Sequence, residues 1–119
     1  MAESNRSIGT HYEEVAEQYL TGQGYLITEK NFRWRQGEID IVAKDGEYLC
    51  FIEVKYRKNL GKGHPLEAVD HRKQQKIIQT AGVYMAGHHT SPLQKIRFDV
   101  VSILGDEVSL YKNAFGNGW

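Results

Sequence analysis

The chain has 119 residues, of which 40% are hydrophobic and 25% charged, a composition typical of one globular domain spanning residues 1–119. Fifteen basic and fifteen acidic residues cancel, so any nucleic-acid binding must rest on local clusters of charge. No apolar run approaches the roughly 18 residues of a membrane span, and the first ten residues lack the apolar segment of a signal peptide. The single cysteine, Cys50, cannot form an internal disulfide. We therefore expect a cytoplasmic protein with no membrane partner.

The N-terminal region predicts a flexible start over residues 1–9, followed by an α-helix. Thr10 and Glu13 have the spacing of a capping box, and apolar residues recur at helical spacing up to Gly22. On the helical wheel Glu13 lies at the edge of the apolar stripe, where an acid can reach the protein interior. Two interpretations stay open: Glu13 caps Thr10, or it contributes to an internal site.

Three strands are predicted next. Alternating apolar residues predict the first strand over Tyr25–Arg35, and two further runs within Gly37–Arg57 predict a β-hairpin around Asp45-Gly46. A turn made of those two residues would place Asp40 opposite Phe51.

One face of this hairpin carries an unusual set of charges. Because side chains alternate between faces, Glu38, Asp40, Glu53 and Lys55 share one side with apolar neighbours. Like charges on an otherwise apolar face are unfavourable unless a cation or hydrogen bonds compensate them. The pattern predicts a metal site, and ligands that are all oxygen favour Mg²⁺ or Mn²⁺.

Basic residues cluster after this hairpin. Arg57, Lys58 and Lys62 lie in a glycine-containing loop, and Arg72 and Lys73 follow a predicted helix start at Asp70. They are candidates for phosphate contacts, and a solvated surface is the alternative.

The remaining chain predicts a second helix up to Met85, a strand over Ile96–Ile103, a short strand over Val108–Tyr111 and an irregular tail over residues 112–119. Helices and strands in this order predict an α/β fold with a mixed central sheet flanked by helices.

The spacing of Asp40, Glu53, Val54 and Lys55 resembles the PD-(D/E)xK signature of nucleases with a restriction-endonuclease-like core. More closely, the chain resembles the small uncharacterised bacterial family typified by YraN, which is itself similar to archaeal Holliday-junction resolvases. The matching residues include Glu13, Gly24, Tyr25, Asn31, Gly37–Ala43, Phe51–Lys55, Glu67–Val69, Arg72, Lys73 and Arg97–Val101.

This resemblance implies an αβββαβ core and a metal-dependent nuclease. It implies that the positions of Asp40 and Glu53 bind metal, assisted by the backbone carbonyl of Val54. It further implies that Lys55 is the catalytic lysine and Glu13 an additional acid, with Glu38 in support at the edge of the site. The resolvases are dimeric, and a homodimer would align two basic loops on DNA.

Three functions stay open. The first is a Mg²⁺- or Mn²⁺-dependent endonuclease acting on DNA, including structured or branched DNA. The second is a nucleic-acid-binding protein with an idle nuclease-like site, and the third is a non-catalytic adaptor that binds a partner protein.

Overall fold

The computed structural model describes residues 5–116, and within them two α-helices enclose a five-stranded sheet. The elements in chain order are α1 (Asn5–Gly22), β1 (Leu26–Trp34), β2 (Gly37–Asp45), β3 (Tyr48–Arg57), two short 3₁₀ turns (Leu60–Lys62 and Pro65–Ala68), α2 (His71–Gly87), β4 (Lys95–Leu104) and β5 (Glu107–Phe115). This order confirms the predicted αβββαβ core, with β5 as an additional strand.

The sheet is mixed, as predicted. Its strands lie in the order β1-β2-β3-β4-β5, with β3 and β4 parallel and every other neighbouring pair antiparallel. Parallel neighbours need a crossover connection, and α2 supplies it between β3 and β4.

Each face of the sheet has its own apolar core. The core on the α2 side consists of Ile39, Val42, Leu49, Phe51, Val69, Ile77, Ala81, Tyr84, Phe98, Val100 and Phe115. The core on the α1 side consists of Ala16, Leu20, Tyr25, Ile41, Ala43, Cys50, Ile52, Val101 and Ile103. The hairpin strands β2 and β3 are therefore buried on both faces, and charged groups within them are separated from bulk water.

Helix α1 begins earlier than the sequence pattern predicts. Thr10 lies inside the helix, so the predicted capping box is wrong, and residues 5–9, predicted to precede the helix, belong to it. Ile8 extends the stripe of Tyr12 and Val15 by one turn at helical spacing, which gives this segment an apolar face to pack. Residues 1–4 lie outside the described part of the chain.

Strand β5 is longer than predicted. Lys112–Phe115, predicted to belong to an irregular tail, continue the strand. Phe115 is buried and stacks on Phe98 with 5.1 Å between ring centroids, and the N–H of Asn113 donates to Asp99 at 2.8 Å. These contacts hold the end of β5 against β4, while residues 117–119 are not described.

The β2–β3 hairpin has a different turn from the predicted one. Asp45 pairs with Tyr48, so the turn consists of Gly46 and Glu47. An Asp-Gly type I′ turn would need positive φ at both residues. Here Gly46 has a φ of 61°, Asp45 lies in the strand, and the arrangement matches the Gly-X turns typical of hairpins. The predicted pairing of Asp40 with Phe51 is therefore wrong by two positions, a shift that leaves the faces unchanged.

Neither helix in residues 5–116 is long and apolar enough to cross a membrane.

Candidate functional site: an acid pair in a cleft between the two helices

The site lies where β2 and β3 separate. Their paired residues end at Ile41 and Ile52, and one further step along the register brings Asp40 level with Glu53. At this point the backbone N–H of Val54 donates to a side chain, Oδ2 of Asp40, at 2.8 Å. This hydrogen bond takes the place of a backbone hydrogen bond between the two strands. The corrected register thus brings the two acids together more directly than the predicted diagonal relationship.

Both acids are buried. Asp40 and Glu53 are each 7% exposed, and the neighbouring hairpin residues Ile39, Ile41 and Ile52 are buried and apolar. Burial raises the pKa of Asp40 well above its usual value, and the hydrogen bond and negative charge of Glu53 raise it further. The Val54 N–H and the charge of Lys55 act in the opposite direction but do not cancel these effects. An apolar floor therefore holds two carboxyl groups that a cation would stabilise.

A cleft of about 730 Å³ opens above the acid pair. Its walls come from α1, the β1–β2 turn, the end of β3 and the first half of α2. The ionisable side chains that line it are Glu13, Tyr12, Glu38, Asp40, Glu53, Lys55, Tyr56, Arg57, Lys73 and Lys76. Four acids and four basic residues thus converge here, although the whole chain has no net charge.

Two lysines approach the acid pair from different elements. Lys55, two residues after Glu53 on β3, places its Nζ 3.8 Å from Oε1 of Glu53. Lys73 comes from the first turn of α2 and lines the same cleft as Lys55, close enough for the Lys55 ammonium to affect its pKa. The proximity of the Lys55 ammonium and partial burial lower the pKa of Lys73, whereas the charges of Glu53 and Asp40 raise it.

The two outer acids play different parts. Glu13 projects from α1 into the cleft, where burial and the charge of Asp40 raise its pKa and a hydrogen bond to Asn31 lowers it. Glu38 is more exposed and pairs with Arg33, whose Nε lies 2.6 Å from Oε2 of Glu38. Since helix α1 begins at Asn5, the alternative in which Glu13 caps Thr10 is wrong, and Glu13 faces the cleft.

The predicted phosphate-contacting residues divide into two groups. Arg57 and Lys73 line the cleft, whereas Lys58, Lys62 and Arg72 do not contribute to its lining. Lys73 is nevertheless exposed to solvent, as are these three residues. The last three lie on loop or helix surfaces outside the cleft, where they can meet only more distant parts of a large ligand.

Several cleft residues were not predicted as site residues. Lys76 lies one helical turn after Lys73, and the stacked rings of Tyr12 and Tyr56, with centroids 3.7 Å apart, form part of the wall on the α1 side. Lys73 and Lys76 precede the buried residues Ile77 and Thr80 at helical spacing. That spacing is the signal in the sequence that could have placed Lys76 on the face of α2 directed at the sheet.

The acids do not assemble into a larger cluster. Among residues 5–116, no group of three or more His, Cys, Asp or Glu side chains is arranged to hold a metal ion. Asp40 and Glu53 meet as a pair, Glu13 stands apart on α1, and Glu38 is engaged by Arg33. The centre of the site therefore consists of the carboxyl groups of Asp40 and Glu53, with Lys55 and Lys73 in the lining of the same cleft.

This fold and site define a small α/β protein with a buried acid–lysine centre in an open cleft. Residues 12–103 match the model of the uncharacterised protein family UPF0102, and the chain belongs to this family. Similar proteins include a UPF0102 protein of Chlorobaculum parvum, 50% identical over 82% of this chain and 74% of the relative. Another, from Lachnoclostridium phytofermentans, is 48% identical over 90% of this chain and 91% of the relative. A third, from Acetivibrio thermocellus, is 44% identical over 94% of this chain and 93% of the relative.

Proposed function

We propose that this protein is a metal-dependent endonuclease that hydrolyses phosphodiester bonds in DNA, with structured or branched DNA among its substrates. The observation that carries the proposal is the buried pair of Asp40 and Glu53, set beside Lys55 in an open cleft. The αβββαβ order and the position of these residues on adjacent strands also match the PD-(D/E)xK pattern within a restriction-endonuclease-like core. This likeness is one of fold and residue spacing, and it supports the reaction class more than the substrate.

The donor atoms suit Mg²⁺ or Mn²⁺. Asp40 and Glu53 offer carboxylate oxygens, and the backbone of Val54 lies beside them in the cleft. Proteins commonly bind Mg²⁺ through one or two carboxylates and leave the other positions to water and substrate phosphate, so a third clustered acid is not required. Such an ion, when bound, lowers the pKa of a water ligand and screens charge on a phosphodiester.

The surrounding side chains have separate tasks in this proposal. Asp40 and Glu53 hold the cation, and Glu13 adds negative charge on the α1 side of the cleft. Lys55 orients the attacking water or stabilises charge that develops on the phosphate. Arg57 lies further along the cleft, where it can bind a neighbouring phosphate.

The test is a substrate panel with purified protein. Duplex, single-stranded and four-way DNA are incubated with Mg²⁺ or Mn²⁺ in parallel with the variants Asp40→Ala and Lys55→Ala. We expect metal-dependent cleavage that both substitutions abolish. Cleavage that survives both would identify a contaminating nuclease and remove the assignment.

A nucleic-acid-binding protein with an idle site is the second candidate. It is favoured by the small acid set, because residues 5–116 contain no cluster of three metal-binding side chains. This candidate predicts salt-sensitive DNA binding without turnover under any metal. Equal DNA binding by wild type and Lys55→Met would support it.

A further inference from the structure

Helix α2 is fixed against the sheet close to the cleft. Thr80 is fully buried, and its hydroxyl accepts a hydrogen bond from Nε1 of Trp34 at 2.9 Å and donates to the carbonyl of Lys76 at 2.7 Å. Gly37 lies so close that a Cβ at this position would overlap Oγ1 of Thr80. Lys73, two turns before Thr80, is therefore carried into the cleft by a helix with a fixed position.

The start of α2 is also defined. Asp70 caps the helix, and its Oδ1 accepts a hydrogen bond from the N–H of Lys73 at 2.9 Å. Lys73 therefore lies on α2 between two fixed points, the cap at Asp70 and the buried Thr80. The side chain of Lys73 lines the same cleft as Lys55, whose Nζ lies 3.8 Å from Oε1 of Glu53.

Two ammonium groups that line one cleft and act on each other repel unless negative charge compensates them. In the protein alone, that charge comes from Glu53 and Asp40. A cation held by these two carboxylates would take up the same negative charge, and the lysines would then need another anion. In the proposed function, the anion that arrives together with the cation is a phosphate of the substrate.

Arg57 provides separate evidence that the cleft accepts an anion. Its Nε is buried and has no hydrogen-bond partner among the described residues, although its Nη1 donates to the carbonyl of Tyr56 at 3.3 Å. A buried donor without a partner is unfavourable, and Arg57 also brings a positive charge to the lining of the cleft.

We propose that Lys55 and Lys73 form a two-lysine phosphate-binding site, shared between β3 and α2, which holds a single phosphodiester group of a nucleic acid beside Asp40 and Glu53. The inference rests on the proposed function for the identity of the ligand and assigns Lys73 to the centre of the site. Lys73 then positions one particular phosphate beside the acid pair and does not serve as a general contact with the DNA backbone.

Binding measurements test this pair without requiring cleavage. Fluorescence anisotropy of labelled single-stranded and four-way DNA is followed over a salt series for wild type, Lys73→Met, Lys55→Met and the double variant, in Ca²⁺ so that an oxygen-binding cation can occupy the carboxylate pair. We expect each single substitution to weaken binding by roughly 3- to 10-fold and to reduce the salt slope by about 0.7 to 0.9, the value for one phosphate contact. Because the two lysines share one phosphate, the double variant should lose little further slope.

Matched variants isolate the effect of position. Lys73→Arg keeps the charge and should retain most of the wild-type slope. Lys95→Met removes the same charge at the start of β4, where Lys95 pairs with Glu47, and should bind like wild type. Thermal unfolding should show Lys73→Met to be no less stable than wild type, because the substitution removes repulsion from Lys55.

The outcomes separate this inference from the proposed function. Lysine-dependent binding without metal-dependent cleavage would support the phosphate site and remove the nuclease. Metal-dependent cleavage by a Lys73→Met variant with wild-type salt slope, KM and kcat would overturn the two-lysine site alone. An identical slope for Lys73→Met and Lys95→Met, or a failure of wild type to bind DNA at low salt, would also overturn it.

Discussion

The carboxylate of Asp40 accepts a hydrogen bond from the backbone N–H of Val54, and this contact occurs where strands β2 and β3 stop pairing. One side chain therefore satisfies a backbone donor that the neighbouring strand would otherwise satisfy. The strands can separate at this point without leaving that donor unpaired in a buried region. The opening of the cleft and the placement of the acid pair thus have a common structural cause.

Replacing Asp40 by Asn should stabilise the protein at neutral and alkaline pH. The raised pKa of Asp40 means that the protonated form favours folding below the unfolded-state pKa of about 3.9, and that this contribution is lost as pH rises through the folded-state pKa. Asp40→Asn keeps an oxygen for the Val54 N–H and carries no charge. We expect its gain in free energy of unfolding, without divalent metal, to grow from near zero at pH 4 to about 1–3 kcal/mol at pH 8.

Urea unfolding at pH 4, 6 and 8 measures this gain. Asp106→Asn, in the exposed turn between β4 and β5, is the control for loss of one carboxylate and should show little pH-dependent change. A gain for Asp40→Asn that is equal at all three pH values would contradict an ionised, uncompensated Asp40.

Gly37→Ala should destabilise the protein, because the added methyl group overlaps Oγ1 of Thr80. Thr80 cannot move freely, since it is fully buried and its hydroxyl has two hydrogen-bond partners. We expect a loss of about 1–3 kcal/mol in chemical denaturation, typical of overpacking in a core. The displaced α2 would also carry Lys73 away from Lys55, so phosphate binding should weaken.

Gly82→Ala is the matched control, because Gly82 lies in α2 and a Cβ there meets nothing within 4 Å. It should stabilise the helix by up to about 1 kcal/mol. Thr80→Ala combined with Gly37→Ala should show coupling, since the smaller residue removes the atom that causes the overlap. Purely additive losses would mean that Thr80 is not the source of the cost.

The sequence predicts which helices and strands form better than it predicts the residues at which they begin and end. Alternation and helical spacing identify the main strands and both helices because burial on the sheet faces follows these periods. Asp70 was predicted to cap α2, and its side chain does so. The start of α1 was missed because the pattern Thr10-x-x-Glu13 satisfies a local rule for a helix start, whereas the helix already begins at Asn5.

The same limit applies to the turns. Leu104 pairs with Glu107 across Gly105-Asp106, and a Gly-Asp pair between two apolar runs is the turn signal expected at this position. The prediction for Asp45-Gly46 failed because Asp45 has a partner elsewhere: its Oδ2 lies 2.7 Å from Nη2 of Arg97. That contact joins residues 52 positions apart, and a local turn preference does not contain it.

The candidate site contains one arrangement that the sequence pattern predicts and one that it does not. Asp40, Glu53 and Lys55 share a face by strand alternation alone, so their proximity could be predicted from the hairpin. The meeting of Lys55 with Lys73 depends on how α2 crosses the sheet. That crossing includes the close approach of Gly37 to Thr80, which no spacing within a single element encodes.

Tyr25→Phe should weaken the fold without affecting the cleft. The hydroxyl of Tyr25 donates to Oδ2 of Asp99 at 2.8 Å and accepts from Nη2 of Arg97 at 2.9 Å, and Asp99 is fully buried. Loss of a hydrogen bond to a buried charged group costs about 1.5–3 kcal/mol. Denaturant unfolding should show this loss, while DNA binding stays at the wild-type level.

Tyr48→Phe is the control for this change. Arg97 lies over the Tyr48 ring, 5.1 Å from its centroid, and the substitution keeps that ring while removing only a hydroxyl. It should cost much less than Tyr25→Phe. Equal losses would show that the hydroxyl contacts of Tyr25 do not stabilise Asp99.

Cys50 should resist thiol reagents in the folded protein. It is fully buried in the core on the α1 side, and burial raises the pKa of its thiol to about 12. Since the thiolate is the reactive form, both access and ionisation oppose reaction at pH 8. We expect labelling by a disulfide-exchange reagent to proceed at the rate of unfolding in native buffer and within minutes in concentrated urea. Cys50→Ala supplies the background for reagent consumption, and rapid native labelling of wild type would place Cys50 outside the core and contradict the orientation of β3.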